Sequence, residues 1–375
     1  MPFKVHVVSF AVPFPPNYGG VIDVYYKIAQ LKAMGVSVIL HAFTYGSRQH
    51  ADVSLMCERV YYYKRGKNFF NQLSLLPFIV KSRDHKELLN NLLRDNYPIL
   101  FEGLHTSFFI SHPQLKKRQR FLRMHNIESD YYFHLYKAEN NWLKRIFFLL
   151  ESKKLKRYEN RVLEDKDISI LAISRKDHNV LQNHGNVHFI SAFHSFKEVI
   201  SEEGRGGFAL YHGKLDVAEN NEAALFLVKE VFSKVQYPLV IAGSNPSEEL
   251  KKALAPFTHI TLKSSLNTEH IHTLLQQAQV NVLPTFQATG VKLKLLAALF
   301  SGRFCLVNDA MVKGTTLENY CVVANSANEW IKCIEDIKEK TFSNEEIQQR
   351  KKLEKSDFSN AVNAQKLYAL LFPSS

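Results

Sequence analysis

A strand–turn–helix unit recurs along this chain, and that recurrence constrains the fold more than any single motif. "FKVHVVSFAV" is a short β-rich run, followed by a proline-rich loop, Gly19-Gly20 and the helical "VIDVYYKIAQLKAMG". "VSVILHAF" is the next strand. A strand that returns through a helix to another strand implies a right-handed crossover and a parallel sheet. "RVYYYK", "YPILFEG" and "RQRFLRMHN" read as further strands, and the stretch from Asp130 to about Arg161 as a long, charged helix. "ISILAIS" is a strand, with Ser174 as the cap of the helix after it.

A second series opens near Gly207. "FALYHGKL", "YPLVIAGS", "HITLKS", "VNVLP" and "RFCLV" predict strands, separated by helical segments. The join at Ser195–Gly206 is polar and glycine-containing, which suits a domain boundary. The expected organisation is α/β: residues 1–195 as a first domain, 196–345 as a second, and 346–375 as a helical tail packing back on the first. Open parallel sheets bind ligands beyond the carboxyl ends of their strands. Two such domains are therefore expected to present those ends to one cleft.

The chain is 46% hydrophobic and 22% charged, which excludes global disorder. Its net charge of +12 favours anionic partners: a phosphorylated ligand, an anionic membrane face or nucleic acid. No RRM, zinc-finger or KH signature is present and the basic residues are spread through both halves, so nucleic acid is the weaker alternative. Cys57, Cys305, Cys321 and Cys333 form no C-x-x-C, and are expected to be buried thiols in a reducing cytoplasm. The N-terminus reads as a first strand and not as a signal peptide, and "LSLLPFIVK" is too short to span a bilayer.

Three turns attract a phosphate reading. In "TFQATGVKLKLLAALF" a strand ends at Pro284 and a helix begins near Gly290, where unpaired amides and the helix dipole favour an anion. Lys292 and Lys294 lie about 200° apart on a regular helix, so only one faces a ligand. Lys294 shares a stripe with Gly290 and Ala297; the alternative is two solvated lysines beside a turn glycine. In "YHGKLDVAENNEAA", Lys214 follows Gly213, with Asn220 or Asn221 as the expected helix cap. Gly19 and Gly20 stand at the matching place in the first domain, as a ligand approach point or only a tight turn.

His125 ends a strand in "LRMHNIESD", placed to meet a substrate hydroxyl or to bond the backbone. Glu128 is set to accept an acceptor hydroxyl proton or to cap the next helix. Arg123 shares the strand face of His125, for a ligand anion or an internal pair with Glu128. "NWLKRIFFLLESKKLKRYENR" mixes aromatic and basic residues, as a membrane-surface helix or a packed helix with a solvated basic face.

Taken in order, "PPNYGGVIDVYYKIAQLKAMGVSVILHAF", "LRMHNIESDYY", "YHGKLDVAENNEA", "LVIAGSNP" and "VNVLPTFQATGVKLKLLAALFSGRFCLV" resemble the signature segments of family-4, GT-B-fold glycosyltransferases of the bacterial cell-surface glycan type. The resemblance implies two Rossmann-like domains facing across a cleft, a nucleotide-diphosphate sugar as donor and a glycan or lipid-linked acceptor. It also implies retention of anomeric configuration, no resident cofactor or metal, and a place in the cytoplasm or at the inner membrane face. Lys214 and Lys294 would contact the diphosphate with the Gly290 and Val291 amides. Thr289 would border the donor, Gly20 would approach it and His125 would lie near the reacting sugar. Such enzymes carry two glutamates where Thr289 and Ala297 stand here, so a relative that binds without catalysing is the alternative.

Overall fold

In a computed structural model, residues 3–44, 52–66, 74–139, 141–286 and 293–373 are described. They form two compact units. Residues 1–193 with 360–375 make the first, and most of 194–359 the second.

The first unit is built on seven parallel strands: β1 Lys4–Ser9, β2 Ser37–Thr44, β3 Arg59–Lys64, β4 Ile99–Glu102, β5 Arg120–Met124, β6 Ile168–Ala172 and β7 Val187–Phe189. Their order is β3-β2-β1-β4-β5-β6-β7. The second unit has β8 Ala209–His212, β9 Leu239–Ala242, β10 Ile260–Lys263, β11 Val280–Leu283, β12 Phe304–Val307 and β13 Val322–Val323, in the order β10-β9-β8-β11-β12-β13. Both are doubly wound. Each sheet has a switch point, beside β1 and β4 in one and beside β8 and β11 in the other, where chain direction away from the sheet reverses and a crevice opens. The expected α/β class with two Rossmann-like domains is what the chain adopts.

Strands covered on both faces read as continuous apolar runs. Val5, Val7 and Val8 of β1 and all of β9, β11 and β12 are buried. The first helix, Gly19–Ala33, turns Val21, Val24, Ile28 and Leu31 into the core. Two helices, Glu128–Ala138 and Trp142–Glu164, replace the single long helix expected from Asp130 onward. The tail divides: Asn344–Lys351 belongs to the second unit, whereas Asn360–Leu371 packs on Gly19–Ala33 of the first, buried through Ala364, Leu367 and Leu371. Of the four cysteines only Cys305 is buried; the others are half-buried.

Beneath the first sheet runs a directed chain of hydrogen bonds. His6 Nε2 lies 2.8 Å from Asp95 Oδ1, His6 Nδ1 lies 2.8 Å from His41 Nε2, and His41 Nδ1 lies 2.8 Å from Tyr63 Oη. Asn91 donates to that same hydroxyl at 2.9 Å. With the Asp95 carboxylate accepting, each imidazole donates through Nε2 and accepts through Nδ1, so both rings are neutral. Burial holds both below the usual histidine range, His41 the further, and His6 is lowered despite Asp95. A group with a depressed folded pKa contributes stability above its unfolded value, near 6.5, and that stability is lost as pH falls. The unfolding free energy from urea titration is expected to drop between pH 7.5 and 5.5, by up to about 1.4 kcal/mol per refractory histidine per pH unit, and the midpoint with it. His41→Gln should show a smaller drop than the parent chain.

Candidate functional site

The switch point of the first unit carries a closed set of charges. Helix Gly19–Ala33 starts directly beyond β1. A Cβ on Gly20 would lie 2.6 Å from Phe10 Cζ, so a larger residue there would have to displace the ring that follows β1. One turn further, Asp23 and Lys27 face inward and are fully buried. Lys27 Nζ donates to Asp23 Oδ2 at 2.8 Å and to both Glu102 oxygens at 2.7 and 2.9 Å. Arg123 donates to Asp23 Oδ1 at 2.9 Å and Oδ2 at 3.2 Å, and to the carbonyls of Ile190 and Ser191. The Phe193 amide also donates to Asp23, at 2.8 Å. Two carboxylates thus face two cations with nearly every lone pair used. Burial works to raise both carboxyl pKa values. The Arg123 and Lys27 charges beside Asp23, and Lys27 with His125 beside Glu102, outweigh it and hold both low.

His125 closes this set. Its Nε2 lies 3.1 Å from Glu102 Oε2 and 3.9 Å from Asp23 Oδ2, and its side chain keeps 11% exposure. The Phe10 ring packs edge-on against it, with centroids 5.6 Å apart. A Cβ on Gly103, where φ is +73°, would come 3.6 Å from His125 Cδ2 and 3.1 Å from His105 Nδ1. Neither alternative for Arg123 holds: it binds Asp23, not Glu128. Likewise His125 bonds a carboxylate, not the backbone.

Glu128 is the first residue of its helix, yet it does not cap it. The Glu128 and Ser129 amides donate to Glu159 Oε1 at 2.7 and 3.3 Å, so the capping carboxylate comes from the neighbouring helix. The Glu128 side chain is buried, with Oε1 4.0 Å from His105 Nδ1. Burial, then the charge of Glu159, pushes its carboxyl up to about 8. It is a neutral acid at pH 7, able to donate a hydrogen bond.

In the second unit Asn220 ties two of the predicted residues together. The Lys294 ammonium donates to Asn220 Oδ1 at 2.7 Å, and Asn220 Nδ2 donates to the Lys214 carbonyl at 2.9 Å. Lys294 also lies over the Tyr211 ring, 5.1 Å from its centroid, at the end of β8. Lys214 is half-exposed, 3.4 Å from Asp216. The helix here begins at Ala218 after an uncapped Val217, so Asn220 sits inside its first turn instead of capping it. Glycine is required at Gly243, where a Cβ would overlap the Gly213 carbonyl, and a Cβ on Gly213 would press on Asn220 Cγ at 3.1 Å. Thr285, just past β11, donates to Glu219 and is gripped by Asn308 through both its amide and carbonyl. Ala297 is half-buried in helix Leu293–Ser301. Thr289, Gly290 and Val291 lie outside the described residues.

Asp23, Lys27, Glu102 and Glu159 were missed in the sequence. An Asp and a Lys at i, i+4 inside the apolar stripe of the first helix were a readable signal, as was an acid closing the apolar strand before Gly103. Glu159 gave none. Ligand atoms of Asp23, Glu102 and His125 lie within 4.8 Å of one another, but Lys27 and Arg123 already neutralise both carboxylates, which disfavours a cation there. A carboxyl with a raised folded pKa costs stability as pH climbs from its unfolded value near 4.5 toward 8. Glu128→Gln should therefore raise the unfolding free energy at pH 8, by on the order of 4 kcal/mol, with a matching rise in melting temperature, and leave both little changed at pH 5.

No protein-family model matches the chain. Over 338 residues it is 27% identical to an uncharacterized 44.6 kDa protein in the cps region of Klebsiella pneumoniae, covering 83% of this chain and 84% of that protein. Its structure is similar to sucrose-phosphate synthase from Thermosynechococcus elongatus, with a TM-score of 0.71 at 15% identity and full coverage of both chains. It is also similar to a TarM variant from S. aureus in complex with fondaparinux, α-GlcNAc-glycerol and UDP. There the TM-score is 0.65 at 9% identity, covering 99% of this chain and 100% of that one. Identities this low speak to architecture, and that architecture, a pair of parallel-stranded Rossmann-like domains, is the GT-B fold of these glycosyltransferases.

Proposed function

We propose that this chain is a glycosyltransferase that moves a sugar from a nucleotide-diphosphate donor to a glycan or lipid-linked acceptor of the cell surface, with retention and without a metal. The observation that carries this reading is the pairing of Lys214 and Lys294 through Asn220 beyond β8, at the switch point of the second sheet. The GT-B architecture, the UDP bound by the TarM neighbour and the cps-region relative support it.

In such a transfer the bond from the anomeric carbon to the diphosphate oxygen breaks, and one to the acceptor oxygen forms. The acceptor proton passes to the departing phosphate oxygen. Negative charge grows on the leaving group, and a cation already oriented lowers the barrier because it needs no reorganisation. Lys294 is held by Asn220 and the Tyr211 ring, so it is such a cation. Lys214 is free to swing from Asp216 to a diphosphate. Glu128, neutral and buried, is suited to donate to an acceptor oxygen.

A thermal-shift panel of uridine, guanosine and adenosine diphosphate sugars tests the reading, with donor hydrolysis read in the same tubes. One nucleotide should stabilise the protein, with binding weakened about 10- to 100-fold in Lys294→Ala and less in Lys214→Ala, as expected for charge-assisted contacts of about 1.5–3 kcal/mol. A shift unchanged by either substitution refutes the diphosphate site. Binding without hydrolysis or transfer favours a non-catalytic relative, the reading that Ala297 raises. Stabilisation by single-stranded oligonucleotide instead would favour the nucleic-acid alternative.

We further propose that the protein works in the cytoplasm at an anionic membrane face. Among the described residues no helix is long and apolar enough to cross a membrane. The helix pair Glu128–Ala138 and Trp142–Glu164 nevertheless exposes Phe133, Trp142, Leu143, Ile146 and Leu150. Lys137, Lys144, Arg145 and Lys153 are exposed among them. Apolar side chains interleaved with cations fit the headgroup layer of an anionic bilayer. The protein should sediment with anionic vesicles at low salt, less at high salt, and less again as Trp142→Glu; equal recovery in every supernatant rejects this.

A further inference from the structure

We propose that Cys305 and Cys321 form an adjacent pair of thiols, an oxidation site at the edge of the second sheet that closes to a disulfide by exchange with a small-molecule disulfide. The pair lies wholly within the second unit and does not depend on the transferase reading.

Strand register brings the two cysteines together. β12 and β13 run parallel, with Leu306 beside Val322 and Val307 beside Val323. One step back in that register, Cys305 stands beside Cys321. Neighbouring strands lie about 4.7–4.9 Å apart, and aligned residues of a parallel pair point to the same face. A disulfide accepts Cα separations of about 4.4–6.8 Å, so the strands need not part to be bridged. Both cysteines line one cavity of about 180 Å³, together with Phe304, Tyr320, Phe342 and Arg350.

Arg350 gives a second measure of their closeness. It is buried and donates to the carbonyls of Leu299 and Arg303 at 2.9 and 2.6 Å, which fixes its charge in place. Its Nη2 lies 3.9 Å from Cys305 Sγ. Burial pushes the Cys305 thiol up, and the Arg350 charge opposes it. Burial, then Cys305 itself, pushes the Cys321 thiol up, again against Arg350. The two thiols thus share one cation. Among the described residues no His, Asp or Glu completes a metal-ligand set with them, so their chemistry is that of two thiols.

Exposure sets the order of events. Cys305 is 1% exposed, whereas Cys321 is half-buried and can be reached first. The Cys321 thiol loses its proton to solvent and attacks one sulfur of the small disulfide, releasing the other as a thiol. Cys305 then loses its proton and attacks the Cys321 sulfur of the mixed disulfide, releasing the second thiol. Two protein thiols are oxidised and one disulfide is reduced to two thiols. Only thiolates attack, and both thiols are held protonated at pH 7. Exchange should therefore quicken about tenfold per pH unit between pH 7 and 8.5. The bridge closes the loop 306–320, which carries Asn308, the residue that grips Thr285.

The test incubates the full-length protein with glutathione disulfide at pH 8.5, unfolds it in N-ethylmaleimide and digests it with trypsin. Cys57, Cys305, Cys321 and Cys333 each fall on a separate tryptic peptide. Peptides 304–313 and 314–332 should appear joined, about 2 Da lighter than their reduced sum, and dithiothreitol should part them. Phenylarsine oxide, which needs two adjacent thiols, should be retained by the parent chain and lost from Cys321→Ala. In Cys305→Ala, glutathione should stay on Cys321, since the thiol that displaces it is gone. The oxidised parent should melt at least about 3 °C higher than the reduced form, and Cys321→Ala should show no such shift. Cys305 and Cys321 recovered with separate adducts, or both recovered as free thiols, overturns the proposal. If Cys305→Ala fails to fold, the peptide map of the parent chain still decides.

Discussion

Four buried charges organise the first unit. Asp23 and Lys27 come from the helix after β1, Glu102 from the end of β4 and Arg123 from β5. Each is almost fully dehydrated, a cost of several kcal/mol per ion that only close, fully bonded partners offset. They have such partners: Asp23 accepts from Lys27, Arg123 and a backbone amide, and Glu102 from Lys27 and His125. Removing any one would strand another, which costs about 3–5 kcal/mol and is far more than a surface pair contributes. The helix is therefore locked to the strands in one register, and Gly20, Phe10, Gly103 and His125 are brought into one place. A greasy interface of the same volume would hold the elements together but would not orient an imidazole.

The second unit solves the same geometric problem with uncharged material. At its switch point a single carboxamide, Asn220, spans the backbone after β8 and the ammonium of Lys294. An amide donates and accepts at once, so it can order a cation without cancelling it. This distinction is functional in kind. At its switch point the first unit pairs four buried charges with one another and leaves one imidazole partly exposed. The second orders the Lys294 ammonium through a carboxamide, with Lys214 exposed nearby and 3.4 Å from Asp216. One architecture thus orders its switch-point side chains in two ways, by mutual charge pairing in one unit and by a carboxamide in the other.

Much of this was legible in the sequence. The strands of both sheets named in the sequence, the parallel pairing, the Ser174 cap and the polar join near residue 195 follow from period, apolar runs and turn residues, which are local properties. His125, Glu128, Lys214 and Lys294 could be nominated because each stands just past a strand. Their partners could not. Glu159 reaches the amides at Glu128 from a helix that packs alongside, and Arg123 finds Asp23 at a separation of a hundred residues. Asn220 looked like a cap because Asn favours caps, but the helix begins two residues earlier and its side chain was drawn to Lys294. Within the expected tail, residues 346–359 fall in the second unit and Asn360 onward in the first.

By itself the sequence determined the α/β class, the two-domain plan and which residue types stand at the ends of the strands, because periodicity and chain order depend on neighbours within a few positions. Only the tertiary structure decided which of those residues are buried, which are paired and with what partners. Burial and pairing depend on partners distant in the chain, and no local pattern encodes either.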